Sequence, residues 1–149
     1  MYIMFMKKFI VFMVVVVFSS QMFANDFAKK YAYYEDYNKA MEVAKKAKKD
    51  LFVFIEADHY CPWCNELKEQ VLSLEYTNDL VRNNYIPVVL YSGSGEYPYK
   101  LDTYVTPTMH FVSYKDGSII ETILGFNNHW RFYEIIEVHK KTKQTLNKI

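Results

Sequence analysis

Apolar positions recur at helical spacing over residues 36–49: Tyr37, Ala40, Met41, Ala44 and Ala47 share one face, and lysines fill the other. The closing lysines, Lys45, Lys46, Lys48 and Lys49, suit a helix C-terminus, where unpaired carbonyls favour positive charge. Leu51–Glu56 is apolar except for its last residue, as expected of a central strand buried on both faces. Residues 58–60 read as a connecting loop. From Cys61 the period turns helical again: Leu67, Val71 and Leu74 are expected on one face, and Pro62 is tolerated in a first turn. A second short helix follows over 78–83 and a strand over 85–91. Ser92-Gly93-Ser94-Gly95 is a loop, and residues 99–104 read as a short helix. Two strands, 108–114 and 118–124, flank Lys115-Asp116-Gly117, a hairpin signal. Asn127 or Asn128 can cap a last helix running to about residue 146. The order α β α β α β β α predicts one α/β domain with a parallel start and an antiparallel end.

The first 24 residues do not fit that pattern. Lys7 and Lys8 precede the uncharged apolar stretch 9–18, and a more polar segment runs from Ser19 to Ala24. This is the pattern of a signal peptide, and the stretch is shorter than the ~20 residues of a membrane span. Residues 1–24 are therefore expected to be cleaved, with an uncleaved anchor as the alternative. Residues 25–149 form the domain, and 25–34 should be a short edge element or extended chain. Cleavage removes two lysines and no acid, which takes the formal charge from +1 to −1. Near-neutral charge and no basic patch interleaved with aromatics argue against a nucleic-acid partner. A hydrophobic fraction of 51% belongs to a globular chain rather than a disordered one.

Export changes how Cys61-Pro62-Trp63-Cys64 reads, because these are the only two cysteines. In an oxidising compartment the pair can exist as a disulfide. A ring across two intervening residues constrains the unfolded chain little, so its purpose is chemical rather than structural. A strand–CxxC–helix junction puts Cys61 at a helix N-terminus, where unpaired N–H groups favour the thiolate. Cys61 is thus the expected nucleophile, and Cys64, one turn on and more buried, the residue that resolves a mixed disulfide. Zinc needs four ligands. The remaining donors, His59, His110, His129 and His139, have no paired spacing with the cysteines, so no metal is expected.

Pro107 lies 46 residues after Cys61, within Thr106-Pro107-Thr108. It can be an ordinary strand-start proline, or a cis-proline facing the disulfide and exposing backbone to a substrate strand. Tyr60 and Trp63 flank the cysteines, either as an apolar docking patch or as packing against the fold. His59 reads as an exposed loop histidine and His110 as packing or surface.

The CPWC motif after a strand, Thr106-Pro107-Thr108, the Lys115-Asp116-Gly117 hairpin and Gly125-Phe126 before a final helix together resemble the thioredoxin superfamily over residues 33–141. Residues 37–63 are most similar to small exported proteins related to the C-terminal domain of the DsbD reductase. The resemblance implies a thioredoxin-like fold, with a central mixed sheet and helices on both faces. It also implies that Cys61 attacks, that Cys64 resolves, and that Pro107 is a cis-proline which binds substrate with Thr106 and Trp63. Thioredoxins bury an acid six residues before the first cysteine, where this chain has Ile55. Glu56 would face the other side of a regular strand unless a bulge re-aims it, and its ordinary reading is a solvated strand-end acid. Glu56, Asp58 or water is left as proton acceptor for Cys64.

These features imply thiol–disulfide exchange without a bound cofactor. The expected partners are disulfide-containing exported proteins and a membrane thiol donor or acceptor, with the protein monomeric and periplasmic or otherwise extracytoplasmic. The chain lacks room for the large helical insertion of DsbA-type oxidases, which favours the reductive direction. An oxidase or isomerase, or a binding module or metallochaperone on the same fold, are the alternatives.

Overall fold

A computed structural model of the chain describes residues 26–125 and 129–146. The expected signal segment, and the caps expected at Asn127 or Asn128, lie outside the described residues. In chain order the elements are α1 (Asp26–Tyr31), α2 (Tyr37–Ala47), β1 (Leu51–Glu56), α3 (Pro62–Leu67), a π-helical turn (Lys68–Leu72), α4 (Glu75–Asn84), β2 (Ile86–Tyr91), a 3-10 turn (Tyr99–Leu101), β3 (Thr108–Val112), β4 (Ile119–Leu124) and α5 (His129–Leu146).

The four strands form one mixed sheet in the order β2-β1-β3-β4. β1 runs parallel to β2 and antiparallel to β3, and β3 is antiparallel to β4. Every residue of β1 is buried, which is why its sequence is an apolar run rather than an alternation. Phe52 and Phe54 join Met109, Phe111, Leu67, Leu72 and Phe132 on one face. Leu51, Val53 and Ile55 join Val88, Leu90, Ala40 and Ala44 on the other. Burial of each of the larger side chains, the alanines aside, stabilises the fold by roughly 1.5–3 kcal/mol.

α2 starts where Asp36 accepts a hydrogen bond from the Lys39 N–H at 3.0 Å, and it stops at Lys48, whose φ of 52° is left-handed. Gly117, at φ 70°, turns the β3–β4 hairpin, and its N–H donates to the Ser113 carbonyl at 2.9 Å.

Three expectations need correction. The N-terminal segment is not simply an edge or extended chain: residues 26–31 are helical, and only Tyr34 bridges to the sheet, beside Val88. A six-residue helix is too short to announce itself by propensity; packing holds it, with the Phe27 ring 4.9 Å from Tyr31 and 5.1 Å from Tyr33. Leu74 does not share the buried face of Leu67 and Val71 but is 39% exposed. The Ser73 N–H bonds the Lys68 carbonyl five residues back, and the extra residue in that turn rotates Leu72 inward in its place. The helix expected over 99–104 is a single 3-10 turn.

Candidate functional site

The C-terminal end of β1 leads through residues 57–60 to Cys61, the N-cap of α3. Cys61 has extended backbone angles (φ −131°, ψ 91°), and Pro62 fills the first helical position, where a missing N–H costs nothing. Cys61 and Cys64 form a disulfide with an S–S distance of 1.98 Å. The Cys64 N–H donates to Cys61 Sγ at 3.3 Å, so a helix-terminal donor already points at the sulfur that would carry charge after reduction. Cys64 is 1% exposed, whereas Cys61 is half-buried. An incoming sulfur therefore meets Cys61 first.

Thr106 stands against the pair, with Oγ1 at 3.7 Å from Cys61 Sγ, and the Thr106–Pro107 peptide is cis. This wall is tied down from several directions. The Gly125 N–H donates to the Pro107 carbonyl at 2.8 Å, and the Thr108 hydroxyl donates to the Val105 carbonyl at 2.6 Å. Further back, Asp102 accepts from the N–H groups of Gly93 and Thr103, each at 3.0 Å, and from the Tyr97 hydroxyl at 2.9 Å. Those donors, Gly93 first, hold the Asp102 carboxyl below the usual range.

His110 supports the same segment from beneath. Its Nε2–H donates to the Leu101 carbonyl at 3.1 Å, so its Nδ1 accepts from the Thr122 hydroxyl at 2.8 Å. Burial disfavours the imidazolium and lowers its pKa, against a smaller opposing effect of the Leu101 bond. The histidine is thus packing, one of its two expected readings. Its role as a tie between β3, β4 and the 3-10 turn had no signal in sequence spacing.

Glu56 is buried, which overturns its reading as a solvated acid, and its Oε2 lies 2.6 Å from Lys68 Nζ. β1 keeps regular register with both neighbours, so no bulge re-aims it. Alternation alone places Glu56 on the face of Phe52 and Phe54, the face that packs on Cys64, while Ile55 faces away among Val53 and Val88. The acid therefore sits one residue later than the family pattern expects, on the useful side. Its partner Lys68 stands one turn after Cys64, where the sequence alone gave no reason to pair them.

Asp58 is not brought to the cysteines. Its side chain is 72% exposed and bonds His59 Nδ1 at 2.7 Å, whereas Glu56 lines a cleft together with Cys61. Tyr60 and Trp63 are both largely exposed, so two aromatic side chains stand at the surface on either side of Cys61. Among the described residues no group of three or more histidine, cysteine or acidic side chains could hold a metal ion. No helix among them is long and apolar enough to cross a membrane.

Comparison with known proteins gives the fold a family. The model of a family described as thioredoxin-like matches residues 32–113, more than half of the chain. No curated protein matches. Among solved structures, a thioredoxin from Thermus thermophilus is 19% identical with a TM-score of 0.57, over 70% of this chain and 84% of its own. The oxidised C-terminal domain of Neisseria meningitidis DsbD is 22% identical with a TM-score of 0.55, over 73% of this chain and 97% of its own. A DsbH oxidoreductase is 16% identical with a TM-score of 0.55, over 80% and 92%.

Proposed function

Since the chain belongs to the thioredoxin-like family, we propose that it is an extracytoplasmic thiol–disulfide oxidoreductase that reduces disulfides in exported proteins. The observation that carries this reading is the Cys61–Cys64 disulfide at the start of α3, with its outer sulfur half-buried beside Thr106 and its inner one enclosed.

In the reduced protein, the Cys61 thiolate attacks one sulfur of a substrate disulfide. A Cys61–substrate disulfide forms, and the substrate's other sulfur leaves as a thiolate. The Cys64 N–H stabilises the attacking sulfur. Thr106 and Pro107 hold the substrate chain, with Trp63 on the rim. Cys64 then gives its proton toward Glu56, attacks Cys61 Sγ and expels the second substrate thiolate. Two electrons pass from the Cys61–Cys64 dithiol to the substrate, and the motif ends as a disulfide. A membrane thiol donor returns it to the dithiol. The connection from the active-site helix to β2 is the ten-residue α4 alone, which supports the reductive direction over a DsbA-type oxidase. Residues 1–24 supply the export signal.

The test is insulin reduction by the purified protein, expected to vanish with Cys61→Ser. A Cys64→Ser protein expressed with its export signal should accumulate mixed disulfides on Cys61. Recovery of none would contradict the proposal.

A further inference from the structure

A cleft of about 350 Å³ opens beside Cys61, and neither Thr106 nor Pro107 lines it. Asp26, Phe27, Glu56, Asn65 and Lys68 do, together with Cys61 itself. A second hollow of about 380 Å³ shares Asp26, Phe27, Asn65 and Lys68, so the two form one groove between α1 and the active-site helix. The first hollow alone reaches the lower end of the range for small-molecule sites. It exists because α1 packs here through Phe27, whose ring centre is 6.4 Å from Phe54 of β1.

The polar groups of this cleft have unspent bonding capacity. Lys68 gives one ammonium proton to Glu56 and keeps two more. Asp26 and Asn65 are exposed, and among the described residues their side chains bond no other group. The Asp26 carboxylate, the Asn65 amide and the Lys68 ammonium, which keeps spare protons beside its Glu56 partner, thus line one hollow with a sulfur nucleophile. This set matches a small zwitterion that carries sulfur: its α-ammonium faces Asp26, and its α-carboxylate faces Lys68 and Asn65.

We propose that this cleft is a subsite for small amino-acid disulfides of the cystine class, a second kind of substrate for Cys61 beside protein chains held at Thr106–Pro107. The proposal rests on the exchange chemistry assigned above. The Cys61 thiolate attacks one cystine sulfur; the Cys61–half-cystine disulfide forms as the cystine S–S bond breaks, and one cysteine thiolate leaves. Cys64 gives its proton toward Glu56, as with a protein substrate, and attacks Cys61 Sγ, which expels the second cysteine as a thiolate. One cystine is reduced to two cysteines, and one protein dithiol is oxidised to the disulfide.

The experiment mixes the reduced protein with L-cystine or with the neutral bis(2-hydroxyethyl) disulfide and follows loss of protein thiols. The cystine rate is expected to saturate with concentration. Asp26→Asn and Asn65→Ala should each lower the cystine rate at low concentration about fivefold, the worth of one exposed charge-assisted contact, and leave the hydroxyethyl disulfide rate unchanged. A linear cystine dependence that both substitutions leave unaltered would overturn the subsite while the exchange chemistry stands. Failure of both disulfides to oxidise the protein would overturn the subsite and the exchange reading together.

Discussion

Glu56 of β1 and Lys68 of the helix that follows Cys64 form an ion pair of 2.6 Å in which the carboxylate is 5% exposed and the ammonium 18%. Breaking such a pair from one side leaves a charge in a site built for two. Lys68→Met, which removes the ammonium 2.6 Å from the buried carboxylate, is expected to cost about 3 kcal/mol, and the double change Glu56→Gln with Lys68→Met should recover part of that. Urea denaturation of the two single variants and the double checks the coupling; strictly additive effects would rule it out.

The same carboxylate is assigned the proton of Cys64. Glu56→Gln keeps the size of the side chain and removes the base. Release of substrate from a preformed Cys61 mixed disulfide should slow by about 10²-fold, while attack by Cys61 on substrate changes little. Single-turnover kinetics separate the two steps, and equal slowing of both would assign Glu56 a different role.

Leu72 and Leu74 test the phase of the helix that carries the cysteines. Leu72 is fully buried and Leu74 turned outward. Leu72→Ala should therefore cost about 2–5 kcal/mol and Leu74→Ala less than about 1 kcal/mol. Denaturation midpoints at constant slope decide it, and the reverse ranking would contradict the π-helical turn.

His110 gives stability a pH dependence of known sign. Its folded pKa lies below the ordinary 6.5, so the unfolded chain binds its proton more readily. Its contribution is complete above pH ~6.5 and is lost as pH falls through and below that value. The stability difference between the native protein and His110→Gln should shrink from pH 7.5 to pH 5. A difference that is flat or grows on acidification would contradict the buried neutral imidazole.

Most of the fold was legible because its signals are local. Leu51–Glu56 betrays two-sided burial by being apolar throughout, and Gly117 marks the hairpin with a left-handed position. The Cys61–Cys64 disulfide at the start of a helix was legible too, since residue type, spacing and order carry it. α1 was not, because six residues held by Phe27 against Tyr33 and Phe54 depend on contacts far along the chain. Leu74 misled because one five-residue turn breaks the 3.6-residue period without leaving a mark in composition. The Glu56–Lys68 pair was half visible: alternation from Phe52 and Phe54 gives the acid's face, but only the three-dimensional path of the helix brings the lysine to it.

β1 has no residue that faces solvent, whereas Ala57 is half-buried and Asp58, His59 and Tyr60 beyond it are exposed. The strand that aims the disulfide and the stretch that surrounds it consequently live under different rules. A substitution at any of the six strand positions disturbs packing, whereas one at exposed positions 58–60 leaves the core untouched. Residues 57–60 can therefore reshape the surface beside Cys61 while the strand that carries it there keeps its packing on both faces.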